Sequence, residues 1–189
     1  PGIPFAGGTL GRDVNYLNEI SKKNKLNTKL LSSIKESNEN HKKWIYNHLK
    51  NLIINKKIKR VLIWGLTYTE NTNTLRRSLA IEISNWLRNY DIKVSGYDSN
   101  IKKFPYKISK IINCSPSLTS TIKNIDVLVI LGKSKDFLKI SPGIIKKLNK
   151  KLIIIDPNYF CNHFEKIYKN KYIYVGKSTL QLSTSSPVI

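Results

Sequence analysis

Cysteine is nearly absent: Cys114 and Cys161 are the only two among 189 residues. Their separation fits neither a disulfide framework nor a zinc-ligand spacing, and His41, His48 and His163 do not cluster with them. A structural metal site is therefore disfavoured, and a reducing cytoplasm is the expected setting. Long apolar runs are missing too. A membrane span requires roughly 18–20 such residues, and the longest stretches, such as 152–155, are strand-sized. The Gly/Pro-rich opening of 1–8 has no basic start and no apolar stretch, so it does not read as a signal peptide. The chain does not open with Met, and a piece of a longer protein is expected from that.

Acidic side chains are scarce, 12 against 33 basic ones, for a net charge of +21. Such a field favours anionic ligands and raises nucleic acid as a partner. The composition offers a plainer source. Lysine, asparagine and isoleucine number 28, 20 and 27, together 75 residues, and all three have A/T-rich codons. The lysines are spread along the chain and not gathered in one tract, which is how a solvated basic surface reads. No aromatic-and-basic recognition motif accompanies them, so nucleic acid stays the weaker reading. Hydrophobic residues at 40% and aromatics at 10% are enough for a packed core.

What is present has a clear order. Residues 1–13 read as loop. Val14, Leu17 and Ile20, three apart, predict a helix over 14–23. A second helix, about 28–54, places Leu30, Leu31, Ile34, Trp44, Ile45, Leu49, Leu52 and Ile53 on one broad face. A stripe of that kind predicts a partner, either another domain or a second copy of the chain. A dimer through this helix is expected, because a lone helix would expose the stripe to water. His41 and His48 beside the stripe read as packed or capping residues. Strands are predicted over 60–65, 92–98, 126–132, 152–156 and 172–175, with a short one within 107–113. Helices are predicted over 75–90, where Leu75, Leu79, Ile83 and Leu87 fall four apart, and around 144–148. This alternation predicts an α/β fold, a doubly wound, mostly parallel Rossmann-like sheet preceded by a helical arm. Its ligand site belongs beyond the carboxyl ends of the strands, near 65–74, Asp98, 132–135 and 156–159. Residues 178–189 read as an irregular tail.

The turn after the first strand, Gly65-Leu-Thr-Tyr68, carries a single glycine, so the dinucleotide fingerprint G-x-G-x-x-G is absent there. Three other stretches resemble one family. Phe5-Ala-Gly-Gly-Thr-Leu-Gly-Arg-Asp13 resembles the loop F-G-G-S-C-F/L-P-K-D of the UDP-glucose/GDP-mannose dehydrogenases. Residues 61–78 are similar to that family's V-x-x-L-G-L-x-F-K-x-x-T-D-D-x-R-x-S motif. Asp126-Val-Leu-Val-Ile, then Asp136-Phe137 and Ile153-Ile-Ile-Asp156, resemble its later A-D-x-x-x-I…E-F…I-x-D-x-R-N run. The resemblance implies a catalytic-loop remnant over 1–13, a central helical dimerisation region over 14–57 and a nucleotide-sugar-binding domain over 58–177. It implies NAD as cofactor, held mainly by an N-terminal Rossmann half that these residues do not include. The implied partners are a UDP- or GDP-sugar and a second copy, with no membrane.

The family oxidises a sugar C6 alcohol to a carboxylate through a thiohemiacetal on a cysteine. That position is Thr9, and a threonine hydroxyl is far less ionised than a thiol, which closes the covalent route. Asp13 matches the aspartate that assists the water and proton steps, and Arg12 replaces a lysine. Phe5, Gly7 and Gly8 match substrate-contacting loop positions, although the two glycines also read as a simple turn. The substrate-contacting Phe-Lys pair is Tyr68-Thr69, and the substrate-binding arginine of D-x-R is Asn158. Arg76 aligns with the arginine that reaches the cofactor, beside a retained Ser78; it also reads as a capping or pairing residue at a helix expected to begin near Thr74. An N-cap reading stands beside the catalytic one for Asp13. The expected function is the C-terminal portion of an NAD-dependent nucleotide-sugar 6-dehydrogenase, inactive alone. The alternatives are a non-catalytic nucleotide-sugar-binding and dimerisation module, and a basic nucleic-acid binder.

Overall fold

A computed structural model describes residues 2–5, 8–67, 72–101 and 104–177. Two helices come first, α1 (Thr9–Lys23) and α2 (Lys29–Lys56). The rest alternates: β1 (Arg60–Trp64), α3 (Leu79–Arg88), β2 (Lys93–Tyr97), α4 (Tyr106–Ser109), β3 (Asn113–Cys114) and β4 (Val127–Ile130). It continues with α5 (Lys135–Lys139), α6 (Pro142–Leu148), β5 (Ile153–Ile155), α7 (Glu165–Tyr168) and β6 (Tyr172–Ile173). The six strands run in the order β3-β2-β1-β4-β5-β6, every pairing parallel. The order reverses between β1 and β4, where Val61 sits opposite Val127.

Successive residues of a strand point to opposite faces, and both faces of this sheet are covered, so the strands are apolar throughout. Val61, Ile63, Val127, Val129 and Ile155 meet Ile45, Leu49, Ile83 and Leu87 from α2 and α3 on one face. Leu62, Trp64, Leu128, Ile130 and Ile154 meet Phe137, Ile145, Phe164 and Tyr172 on the other. At the switch point the ends of β1 and β4 nearly touch. Gly65 has φ +83°, and a Cβ there would collide with the Gly132 backbone.

Several expectations are corrected. The stripe of α2 is not free for a partner: Ile45, Leu49 and Leu52 are buried, and Trp44 and Ile53 pack against the same core of the chain's own sheet. Only the first half of α2 stands apart, paired with α1 through Asn18, whose side-chain amide donates to the Leu31 carbonyl at 3.1 Å. Helix α1 starts at Thr9 within the stretch read as loop, and its N-cap is Gly8. Asp13 is the fifth residue of that helix, so its N-cap reading falls. Helix α3 starts at Leu79 and not near Thr74. Leu75 fits the apolar spacing, but Arg77 has φ +60° and breaks the helix, while Ser78 caps it. Within 107–113 the chain forms the single turn α4 before the short β3, because Pro105 fixes φ at the N-cap of that turn. The tail 178–189 lies outside the described residues.

Candidate functional site

Beyond the carboxyl ends of β1, β2, β4 and β5 lies a crevice of about 190 Å3, bordered by Thr67, Asp98, Lys133, Ser134 and Asn158. A second cavity of about 420 Å3 adjoins it, between the helical arm and α3. Ile3, Gly65, Thr67 and Leu131 form the wall between them.

Asp98, buried at the end of β2, accepts hydrogen bonds from Leu66 N at 2.8 Å, Thr67 N at 3.0 Å, Thr67 Oγ1 at 3.1 Å and Asn100 N at 2.9 Å. In dinucleotide-binding sheets the backbone N–H groups of the first strand's turn receive the diphosphate. Here an internal carboxylate already holds the Leu66 and Thr67 amides, so these two donors are not free for the diphosphate of NAD. Ser78 ties α3 to the same loop, donating to the Leu66 carbonyl at 2.5 Å and accepting from Ala80 N at 3.2 Å.

At the end of β5 a second buried carboxylate fixes the loop that carries Asn158. Asp156 accepts from Phe160 N at 3.1 Å, Cys161 N at 2.7 Å and the Tyr172 hydroxyl at 2.6 Å. Burial pushes its carboxyl above the usual range, against the pull of those donors. Cys161 lies in the same pocket; burial raises its thiol strongly, so it stays protonated and unreactive. Tyr159, beside Asn158, has φ +58° and donates to Glu165 at 2.5 Å, which pushes its phenol up to about 12.

The N-terminal segment, residues 2–5, crosses the mouth of this site as a strap. Asn158 Oδ1 accepts the Ile3 amide at 2.8 Å. Asn38 of α2 clamps Phe5 from both sides, accepting its amide at 2.9 Å and donating to its carbonyl at 3.0 Å. A side chain at Gly2 would run into the Asn158 amide.

Of the residues singled out in the sequence, Phe5 and Asn158 sit at the two ends of this strap, Phe5 lining the larger cavity and Asn158 the smaller. Gly8 caps α1, Thr9 is its exposed first residue, and Asp13 is exposed one turn on, bonded to Arg12 Nε at 3.1 Å. Arg76 is exposed on the turn before α3 and lines neither cavity. Gly7, Tyr68 and Thr69 lie outside the described residues. Sequence reasoning missed Asn38, which only a contact across 33 residues reveals, and Arg77, which lines the larger cavity beside the arginine that was aligned. Among the described residues no three His, Cys, Asp or Glu side chains converge on a metal position. No described helix is long and apolar enough to cross a membrane.

A sequence model of the UDP-glucose/GDP-mannose dehydrogenase family, UDP binding domain, matches residues 62–163. The UDP-N-acetyl-D-mannosamine dehydrogenase of Methanococcus vannielii is 29% identical over 170 residues, 86% of this chain and 37% of that protein. The UDP-glucose 6-dehydrogenase of Rickettsia prowazekii is 29% identical over 181 residues, 93% of this chain and 41% of that protein. The chain thus spans about two fifths of the curated relatives it matches. Among solved structures, a GDP-mannose dehydrogenase from Pseudomonas aeruginosa shares the fold with a TM-score of 0.70 at 20% identity, over 92% of this chain and 40% of that one.

Proposed function

The chain belongs to the UDP-glucose/GDP-mannose dehydrogenase family, and from that premise we propose that it is the central-helical and nucleotide-sugar-binding portion of an NAD-dependent nucleotide-sugar 6-dehydrogenase. The observation that carries this reading is the strap, whose Ile3 amide is held by Asn158 on the strand-end crevice while its Phe5 lines the adjoining cavity. Two residues at substrate positions of the family motifs thus border two neighbouring cavities that share a wall. In this reading NAD is held by another domain, and the Leu66 and Thr67 amides of the β1 turn, held by Asp98, are not its donors. Arg76, exposed before α3, is assigned to the cofactor by its motif position, and its exposure supports that role. The chain alone does not turn over, because Thr9 supplies a hydroxyl where the chemistry needs a thiolate. Two cysteines that form no disulfide suit the reducing cytoplasm.

Titration calorimetry tests the binding. UDP-glucose or GDP-mannose is expected to bind weakly, with Kd in the high micromolar to millimolar range, since Asn158 lacks the charge of the family arginine. Silence at about 10 mM, a concentration that detects even interactions weaker than 3 kcal/mol, contradicts the reading. The non-catalytic binding module is favoured by Thr9 alone and predicts the same isotherm. A random oligonucleotide in parallel, bound more tightly than the nucleotide sugars and with steep salt dependence, would favour the nucleic-acid reading.

A further inference from the structure

Six residues other than glycine have positive φ among those described: Lys25, Lys57, Arg77, Asp91, Tyr159 and Lys169. Four of them have an ordinary explanation, because they end helices: Lys25 just after α1, Lys57 at the end of α2, Asp91 just after α3 and Lys169 at the end of α7. Tyr159 and Arg77 end no helix. Both stand at the strand-end site, Tyr159 in the β5 loop and Arg77 in the turn that leads into α3. In that turn Ser78 N donates to the Leu75 carbonyl at 3.2 Å, so Arg77 is its third residue. With positive φ this position favours glycine or asparagine. A long cationic side chain in that place has a backbone cost and needs a compensating role.

Arg77 lines the larger cavity, and its aligned neighbour Arg76 does not. Across that cavity α2 contributes Lys35, Glu39 and Lys42. Lys42 is occupied, since it pairs with Glu82 of α3 at 2.7 Å. Lys35 and Arg77 have no ion-pair partner among the described residues, and neither does Glu39. The site therefore offers two unpaired cations on facing walls and one carboxylate that accepts hydroxyl protons. At about 420 Å3 it lies within the size range of small-molecule sites. The smaller crevice is instead crossed by the strap.

We propose that Arg77, with Lys35 opposite, binds the phosphate groups of a phosphorylated polyol in the cavity between the helical arm and α3. A guanidinium engages phosphate oxygens in bidentate fashion, and Glu39 is free to accept sugar hydroxyls. The organic part of the ligand rests on the nucleotide-sugar reading. The anion site does not.

Inorganic pyrophosphate and UDP-glucose are titrated separately into the wild-type chain and into Arg77→Gly, Arg77→Lys and Lys35→Ala. Arg77→Gly removes the cation and also relaxes the backbone, so its Tm is expected to stay level or rise while the affinity for both ligands falls about ten- to hundred-fold. Arg77→Lys retains the charge without the fork and should fall between. Arg88→Ala, an exposed arginine at the far end of α3 that lines neither cavity, is the control, with pyrophosphate affinity unchanged. Pyrophosphate bound equally by wild type and Arg77→Gly assigns the anion to the general basic surface and overturns the proposal. Pyrophosphate binding that depends on Arg77, with no binding of UDP-glucose, sustains the anion site and removes the nucleotide-sugar reading. UDP-glucose bound with no effect of Arg77→Gly does the reverse. A chain that binds neither ligand defeats both.

Discussion

Asn158 reaches across 155 residues of sequence to accept the Ile3 amide, and Asn38 clamps Phe5 at the other end of the strap. An arginine has no lone pair for that amide, so Asn158 can make this clasp where an arginine could not. Asn158→Ala is expected to cost about 0.5–1.5 kcal/mol, enough to speed hydrogen exchange at the Ile3 amide roughly two- to tenfold. Exchange at the wild-type rate would show that the clasp does not hold the strap. At this scale the sequence was legible where the order of strands sets a residue's position. The strand-end placement of Asp98 and of Asn158 follows from the run of strands in the sequence. Asn38 and Arg77 are not legible in this way, because one acts through a distant contact and the other through a backbone angle that an adjacent arginine does not share.

The strands are nearly where apolar runs put them, since strands covered on both faces need no alternation and leave a continuous signal. Helix boundaries were less readable: Leu75 satisfies the i, i+4 spacing of α3 but precedes a turn. Helix α2 divides into two halves with different surroundings. Its second half buries Leu49 completely under the sheet, so Leu49→Ala is expected to cost about 2–5 kcal/mol, a fall in Tm of roughly 5–15 °C, without changing the oligomeric state. Exposed apolar side chains gather instead on α1 and its turn into α2: Tyr16 at 63%, Leu26 at 60% and Leu30 at 74%. We propose a dimer contact there. Sedimentation at micromolar concentration should give a dimer for the wild type and a monomer for the Tyr16→Ser, Leu30→Ser double variant. A monomeric wild type refutes the contact.

The same helix carries a pH response. His48 is half-buried with its ring 4.3 Å from that of Trp44, and burial holds its pKa below the ordinary 6.5. The unfolded chain therefore binds the proton more readily than the folded one. Stability from this group is complete above pH 6.5 and declines as the pH falls through 6.5 toward the folded pKa, below which it levels. Tm recorded between pH 8 and pH 5 should drop on that limb, and His48→Gln should flatten it. A slope unchanged in the variant assigns the response to other groups.

At the scale of the molecule, a parallel sheet brings its strand ends to one side, and a helical arm folds back to wall that side with Lys35, Asn38 and Lys42. A net charge of +21 draws anions toward the whole surface, and the walled cavity is lined by Lys35 and Arg77. Oxidation of an alcohol to an acid needs more than an anion site. It needs a hydride acceptor, and in the β1 turn the Leu66 and Thr67 amides are held by Asp98. It also needs an adduct from which the second hydride leaves. Thr9 opens α1, where the helix dipole stabilises an anion by about 0.3–1 kcal/mol, less than one pKa unit. That is far too little to ionise a hydroxyl near neutral pH, and Asp13, exposed and bonded to Arg12, has no thiol to serve. The isolated chain mixed with NAD and UDP-glucose, UDP-N-acetyl sugars or GDP-mannose is therefore expected to form no NADH, read by absorbance. NADH above the protein-free background with any of the three would mean that another group supplies the adduct and that this sheet, or its dimer, holds the cofactor after all.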